Sequence, residues 1–432
     1  MTIPFRSPLD SAPTPRVVIT GVGLWTPLGT DRESTWQALT AGRSGSRWLF
    51  APQWTGTTRL AGAPCDLPNE AADGSIDPVV ALARRVAAEA VQDSGLHSGV
   101  LSRDSTGIVF GTSKGGLHTA SRLLQLGSRS AEPGPVWMDV WPSAAASHVA
   151  AAIGASGPVL APVAACATGL AACLRGYELI RDGRCHVVLA GSSDASLQPA
   201  ILGSFQRLGV LARPMDDPTA ACRPFDISRN GFVVGEGAAC LILESFEHAV
   251  ARGARWYAEW LGGRMLADPI GLTQLDPTGQ SLQRLLQDLL RVTNVKPDYI
   301  NLHGTATIPN DRVESAAIHA VFGESARQVP CSSLKGGLGH LLGAAGSVEL
   351  AATLLAIRDQ ILPPTVNLVS PDPQLDLDFT PLQSRPCRID HAWKLSLGFG
   401  GHLSAACVAR LPGNGDRTNG TISLKSDAPV QA

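Results

Sequence analysis

Short runs of β-branched and apolar residues alternate along this chain with longer segments rich in alanine and leucine. Val17-Val18-Ile19-Thr20-Gly21, Gly107-Ile108-Val109-Phe110-Gly111, Val187-Val188-Leu189-Ala190-Gly191 and Ala239-Cys240-Leu241-Ile242-Leu243-Glu244 are each closed by glycine or a charge. Such near-continuous apolar runs predict strands covered on both faces. Helical spacing of apolar residues predicts helices over Thr35–Ala41, Val79–Ser94 and Gln280–Val292. Strand–helix alternation implies α/β layers around a largely covered sheet. A shorter second set follows from about residue 260: strand Tyr299-Ile300-Asn301-Leu302 ending at His303-Gly304, helix Ser347–Arg358 and strand Leu395–Phe399. The organisation expected is two α/β halves, 16–259 and 260–412, between a Pro/Ser/Thr-rich flexible N-terminus (1–15) and a polar flexible tail (413–432).

Composition narrows the class. At 432 residues with 44% hydrophobic and only 17% charged residues, the chain can bury a large core and is too apolar for disorder. A formal net charge of −2 argues against bulk binding to nucleic acid or an anionic membrane. The segment before Val17 has no apolar core of signal-peptide length. The longest charge-free stretch, Trp141 to Leu174, is interrupted by Pro142, His148, Gly154, Pro158 and Pro162, so it predicts core elements with turns and no membrane insertion. Nine scattered cysteines with no CxxC pair predict neither a disulfide framework nor a metal site, and point to a reducing cytoplasm.

Four segments carry candidate chemistry. In Pro162-Val163-Ala164-Ala165-Cys166-Ala167-Thr168-Gly169 a strand-like run meets a helix whose turns are marked by Leu170, Leu174, Tyr177 and Arg181, before Asp182-Gly183 stops it. A thiol at a helix N-terminus feels the positive end of the macrodipole, which favours its thiolate. Any one cysteine is by default an inert core residue; placement and the other segments single out Cys166. A strand delivers His303 into the loop Gly304-Thr305-Ala306-Thr307-Ile308-Pro309-Asn310-Asp311. Lys335 and His340 flank glycines in Lys335-Gly336-Gly337-Leu338-Gly339-His340, ahead of the helix with Glu349. Leu397-Gly398-Phe399-Gly400-Gly401 runs a strand into glycines whose N–H groups can face a ligand.

In this order the segments resemble the β-ketoacyl synthases, decarboxylating condensing enzymes of the thiolase-like superfamily. The resemblance runs from Ile19-Thr20-Gly21-Val22-Gly23 to Gly398-Phe399-Gly400-Gly401 and includes Arg223-Pro224-Phe225-Asp226 and Arg229-Asn230-Gly231-Phe232-Val233-Val234-Gly235-Glu236-Gly237. It is strongest toward the second type of elongating synthase and its relatives in type II polyketide pathways. It implies an α/β fold of five layers (αβαβα) made of two similar halves, working as a homodimer or as a heterodimer with a related subunit. It also implies an acyl carrier protein as partner, and no metal or organic cofactor, because phosphopantetheine arrives on the carrier. Cys166 matches the nucleophile, His303 and His340 the two histidines, and the N–H groups of Cys166 and Phe399 the oxyanion hole.

The chemistry implied is a decarboxylative Claisen condensation. A thiolate takes the acyl group from a thioester; a malonyl thioester then loses CO₂, and two imidazole N–H donors hold the enolate charge. Lys335 is expected to tune His340 and Glu349 to order its loop, an ordinary ion pair and a surface carboxylate being the alternatives. By resemblance Thr305 and Thr307 hold the pantetheine arm, and Phe205 and Lys114 line the acyl pocket. Several positions depart from the family pattern: His402-Leu403 after Gly401, Leu397 before Gly398, Leu338 before Gly339, and Lys114 where an apolar residue is usual. A cation in an alkyl tunnel is costly, so Lys114 argues for a short or polar acyl group, or a carboxylate partner, unless it reaches solvent. Arg207 and Arg213 are candidates for carrier docking, or simply solvated. Two other readings compete: a non-catalytic chain-length-setting subunit, and a coenzyme A-dependent thiolase-like enzyme.

Overall fold

The computed structural model describes residues 14–49, 60–101, 105–126, 137–213 and 215–411. The loose ends expected at 1–15 and 413–432 lie outside these, save Thr14 and Pro15. Ten strands form the main sheet: β1 Val17–Trp25, β2 Thr106–Gly111, β3 Val159–Leu160, β4 Val187–Asp194, β5 Gly237–Ser245, β6 Ala258–Ala267, β7 Tyr299–Asn301, β8 Cys331–Ser332, β9 His391–Gly398 and β10 His402–Ala409. Their order is β8-β7-β9-β10-β6-β1-β5-β4-β2-β3.

That order is one motif written twice. Numbering strands within each half, both read 1-5-4-2-3. In the first, β1–β5 and β5–β4 are antiparallel, while β4–β2 and β2–β3 are parallel. In the second, β6–β10 and β10–β9 are antiparallel, while β9–β7 and β7–β8 are parallel. The halves join through β1 and β6, where Val17, Val18 and Ile19 oppose Trp260, Glu259 and Ala258. The boundary expected near residue 260 falls within β6, which opens the second repeat.

Seven helices matter for the layers: α1 Pro78–Ser94, α2 Ala144–Ile153, α3 Thr168–Arg181, α4 Pro199–Arg207, α5 Gln280–Thr293, α6 Ile308–Phe322 and α7 Ala345–Asp359. Period-2 alternation decides which face of each strand meets which helix. Val188 and Ala190 of β4 join the central core with Leu170 and Leu174 of α3 and Val348 and Leu355 of α7. Val187 and Leu189 turn the other way, onto Val80, Leu82 and Val86 of α1 and Val149 of α2. In the second repeat Trp393 and Leu395 of β9 meet Leu285 and Leu289 of α5 and Ile318 of α6, while Ala392 faces the centre. The result is five layers, αβαβα, with α3 and α7 in the middle.

Local sequence explains the ends of these elements. α1 starts where the Asp77 carboxylate accepts the Val79 N–H and Pro78 occupies the first turn, and stops at Gly95, whose φ is +69°. No helix among the described residues is long and apolar enough to cross a membrane.

Candidate active site

Cys166 lies on a sharp elbow. Ala165 takes a left-handed φ of +46°, a conformation costly for a residue with a β-carbon. Thr168 holds the turn: its hydroxyl accepts the Ala164 N–H at 2.8 Å and donates to the Ala165 carbonyl at 2.7 Å. The second repeat makes the same turn at Leu342, φ +48°, before α7, so Gly343 stands where Cys166 stands in the first. The end of β9 passes so close to the elbow that a β-carbon on Gly398 would lie 2.5 Å from the Ala164 carbonyl and 3.1 Å from the Cys166 nitrogen. Glycine is required there, and Phe399, next along, directs its N–H at the Cys166 sulfur.

Burial opposes the acidity that a helix N-terminus lends a thiol. Burial is the largest influence on the Cys166 thiol and pushes it up to about 11; the charges of Lys114 and Lys335 and the Phe399 N–H oppose the rise, and Asp194 adds to it. In the unloaded site burial thus works against the thiolate that the helix N-terminus favours.

His303 and His340 meet edge to face, ring centroids 5.3 Å apart at 80°. Backbone bonds to Val233 and Gly235 hold the His340 segment against its neighbour. Its Nδ1 accepts the Leu342 N–H at 3.3 Å, so the neutral ring carries its proton on Nε2. Glu314 fixes the His303 segment, taking the His303 and Gly304 N–H groups at 2.7 and 2.6 Å. The buried His303 Nδ1 has no hydrogen-bond partner among the described residues. Burial, then the cationic lysines nearby, hold both imidazoles well below the ordinary histidine pKa, so both are neutral at working pH.

Behind the histidines sits a buried charge triad. Glu349 takes Lys335 on Oε1 and Lys394 on Oε2, each at 2.6 Å, and all three side chains are sealed from solvent. Lys335 also donates to the His303 carbonyl, and Lys394 to the Leu302 carbonyl at 3.4 Å. The lysines thus hold the strand end that delivers His303.

Cys166, His303, His340, Phe399, Phe205, Thr305 and Thr307 line one cavity of about 690 Å³. Phe205, Phe232 and Phe399 form an aromatic wall, with centroids 5.7 Å apart for Phe205–Phe232 and 6.5 Å for Phe205–Phe399. The hydroxyls of Thr305 and Thr307 lie 2.9 Å apart. Exposed Arg213 stands at the mouth with apolar Leu208, Ile270 and Ile308; Arg207 is exposed on α4 but does not line the cavity. Lys335 and Glu349 support the site from behind.

Lys114 is not among the residues lining this cavity. Its ammonium bonds the Ser113 hydroxyl at 2.6 Å and lies 3.9 Å from Asp194, with a quarter of the side chain exposed. The nearest carboxylate to its ammonium is the buried one of Asp194. His402 faces solvent, its ring against Gly400.

Sequence reasoning passed over Lys394, Glu314, Phe232 and Asp194. Lysine inside the apolar strand run Ala392-Trp393-Lys394-Leu395 was a usable signal, since lysine is rarely buried without a partner.

The chain matches the N-terminal domain of the β-ketoacyl synthases over residues 14–249 and their C-terminal domain over 257–369. It is 38% identical over 422 residues to the tetracenomycin polyketide synthase ketoacyl synthase alpha subunit of Streptomyces glaucescens, covering 91% of this chain and 97% of that protein. It is 36% identical over 401 residues to 3-oxoacyl-[acyl-carrier-protein] synthase 2 of Synechocystis, covering 90% and 96%. Among solved structures, the type II polyketide ketosynthase captured with its acyl-carrier protein and a hexaketide superposes with a TM-score of 0.84 at 34% identity, over 92% of this chain and all of that one. Two matched domains, full-length relatives and the doubled αβαβα fold place this chain in the β-ketoacyl synthase family, the acyltransferases that form carbon–carbon bonds by condensing acyl thioesters.

Proposed function

We propose that Cys166 accepts an acyl group from an acyl carrier protein and that His303 and His340 drive decarboxylative condensation with a malonyl group on a second carrier. The observation that carries this reading is the convergence of Cys166, the Phe399 N–H and two neutral imidazoles on one cavity. The Cys166 sulfur, its proton given to solvent, attacks the thioester carbonyl; the bond to the carrier thiol breaks, and that thiol takes a proton from solvent. The N–H groups of Cys166 and Phe399 receive the tetrahedral oxyanion. The malonyl carboxylate leaves as CO₂, and its bonding pair becomes an enolate whose oxygen accepts a hydrogen bond from His340 Nε2–H. His303 supplies the second donor, and the enolate carbon then attacks the acyl carbon on Cys166, whose sulfur leaves. Neutral rings suit this work, since each keeps one N–H without losing a proton.

In this reading Thr305 and Thr307, whose hydroxyls pair in the cavity wall, hold the pantetheine arm, and exposed Arg213 meets an acidic carrier protein; the pairing and the shared cavity support it. For the pocket, Phe205 supplies an apolar wall. Lys335 and Glu349 act by position, through the His303 carbonyl. No metal or organic cofactor enters this scheme. We further propose a dimer, with a second copy or a related subunit: β3 is the sheet's edge, and Val159, Val163, Trp137, Met138 and Trp141 nearby are 42–58% exposed. The nine free cysteines support a cytoplasmic setting.

A chain-length-setting subunit would need no nucleophile, and Cys166 with both histidines weighs against it. A thiolase-like reaction needs a second cysteine as base, and among the described residues Cys166 is the one cysteine lining the cavity. The test is intact mass after incubation with acyl carrier proteins of varied acyl length: a covalent acyl adduct forms on the parent chain and not on Cys166→Ala, and its absence from folded parent protein favours the chain-length reading.

A further inference from the structure

One charged cluster beside the cavity has no part in the steps above. The loop after β2 brings Ser113 and Lys114 to the end of β4, where Asp194 is buried. Asp194 Oδ2 accepts the Ser113 hydroxyl and, at 3.0 Å, the Gly343 N–H; Oδ1 accepts the Ser196 hydroxyl. Gly343 is the counterpart of Cys166, so an internal carboxylate fills, in the second repeat, the N–H site that the first repeat leaves open for chemistry. The fit is close: a β-carbon on Gly343 would lie 2.9 Å from Asp194 Oδ2. Lys114 is tethered to this group through Ser113, 3.9 Å from the carboxylate.

We propose that Lys114 and Asp194 form a charge control on the nucleophile, with Lys114 a fixed cation that stabilises the Cys166 thiolate and Asp194 its anchor and counterweight. The proposal deepens the ketosynthase reading and rests on it for the role of Cys166. Both are positioning residues, acting through the field they set at the sulfur. The charged and titratable groups facing that sulfur are Lys114 from the loop after β2, Asp194 from β4, Lys335 beyond β8, and His303 and His340 across the cavity, with Lys394 of β9 acting on both imidazoles. Lys335 has Glu349 at 2.6 Å to cancel its field, whereas Lys114 stands farther from a carboxylate already shared by three donors. Lys114 is also the strongest of the charges drawing the thiol pKa down, ahead of Lys335. Cys166 first gives its proton to solvent; its thiolate then forms the new thioester bond as the carrier C–S bond breaks, and the departing carrier thiolate takes a proton from solvent, so a fixed cation favours the charged nucleophile that begins the exchange.

Alkylation by iodoacetamide tests this without any carrier protein, because a thiolate displaces iodide while a thiol does not. The rate is followed from pH 6 to 10 by the mass of the Cys166 peptide from the full chain, with the unfolding midpoint of each variant as a check on folding. Lys114→Met should move the rising limb to higher pH and slow labelling at pH 8 roughly three- to tenfold, and Lys114→Arg should restore it. Asp194→Asn should move the limb the opposite way, toward faster labelling; loss of packing alone has no reason to give opposite signs. An unchanged profile in Lys114→Met, or shifts of the same sign in both neutralised variants, overturns the proposal. Should Lys114→Met unfold, Lys114→Gln takes its place. Normal charge control with no acyl adduct would instead count against the ketosynthase reading.

Discussion

Lys394 brings its ammonium within 2.6 Å of Glu349 Oε2, the carboxylate oxygen that Lys335 leaves free. Burial, offset in part by Glu349, lowers the Lys394 pKa to about 8. Removing one member leaves the others charged and dry. Lys394→Met, which unbalances neither size nor strand register, is expected to shift Glu349 toward Lys335 and cost activity. Glu349→Gln leaves two unpaired lysines and should cost about 3–5 kcal/mol in urea unfolding, as breaking a buried pair does. A cost below about 1 kcal/mol would mean the triad does not hold the His303 strand end.

The two histidines should separate the half-reactions. His303→Ala and His340→Ala are each expected to keep Cys166 acylation while slowing CO₂ release about 10²–10³-fold, the usual loss for a donor to a developing oxyanion. Both imidazoles are held well below their ordinary pKa, so they stay neutral from pH 6 upward. Histidine protonation should therefore produce no fall in CO₂ release between pH 8 and pH 6. A limb with a midpoint near 6.5 in the parent that vanishes in His340→Ala would contradict neutral donors.

Gly398→Ala places a methyl 2.5 Å from the Ala164 carbonyl. The backbone must move, and the Phe399 N–H moves with it. Acylation of Cys166 should fall at least about 10²-fold, for a stability loss of about 1–3 kcal/mol. Normal acylation would remove Phe399 from the oxyanion hole.

Glu236 gives a pH signature of stability. Burial pushes its carboxyl up to about 7, against the Leu197 N–H at 3.1 Å. The folded state therefore holds the proton more tightly than the unfolded chain, so this contribution is complete below about pH 4.5 and is lost as pH rises through 7. Glu236→Gln keeps an acceptor for Leu197 and removes the charge. It should stabilise by about 1–3 kcal/mol at pH 8 and by nothing at pH 4.5, read from unfolding curves at the two pH values.

The strands of the first half were legible because each is covered on both faces and reads as an apolar run; Val187–Gly191 lies inside the observed Val187–Asp194. α6 was not legible. Asn310, Asp311 and Glu314 are buried along it, Glu314 accepting from the His303 segment, Asp311 from the Phe225 N–H and Asn310 donating to Glu314, so it lacks the apolar stripe that marks a surface helix. The two-residue strands β3 and β8 are too short for any periodicity, and the pairing of β1 with β6 is a long-range choice that no local run encodes. At the site, Cys166, His303, His340 and Phe399 were found by motif and share the cavity. The setting of Lys114 and of the thiol was not legible for one reason: both depend on Asp194 and on burial, which only the folded chain brings together.

The most direct test of condensation at Cys166 is single-turnover CO₂ release. Parent protein and Cys166→Ala are first incubated with an acyl carrier protein, then given labelled malonyl-carrier protein, with CO₂ and extended product counted together. The account predicts an acyl adduct on the parent, one CO₂ per extended chain, and neither adduct nor extended chain from Cys166→Ala. Extended product from Cys166→Ala, or an acylated parent that transfers its acyl group without releasing CO₂, would contradict it.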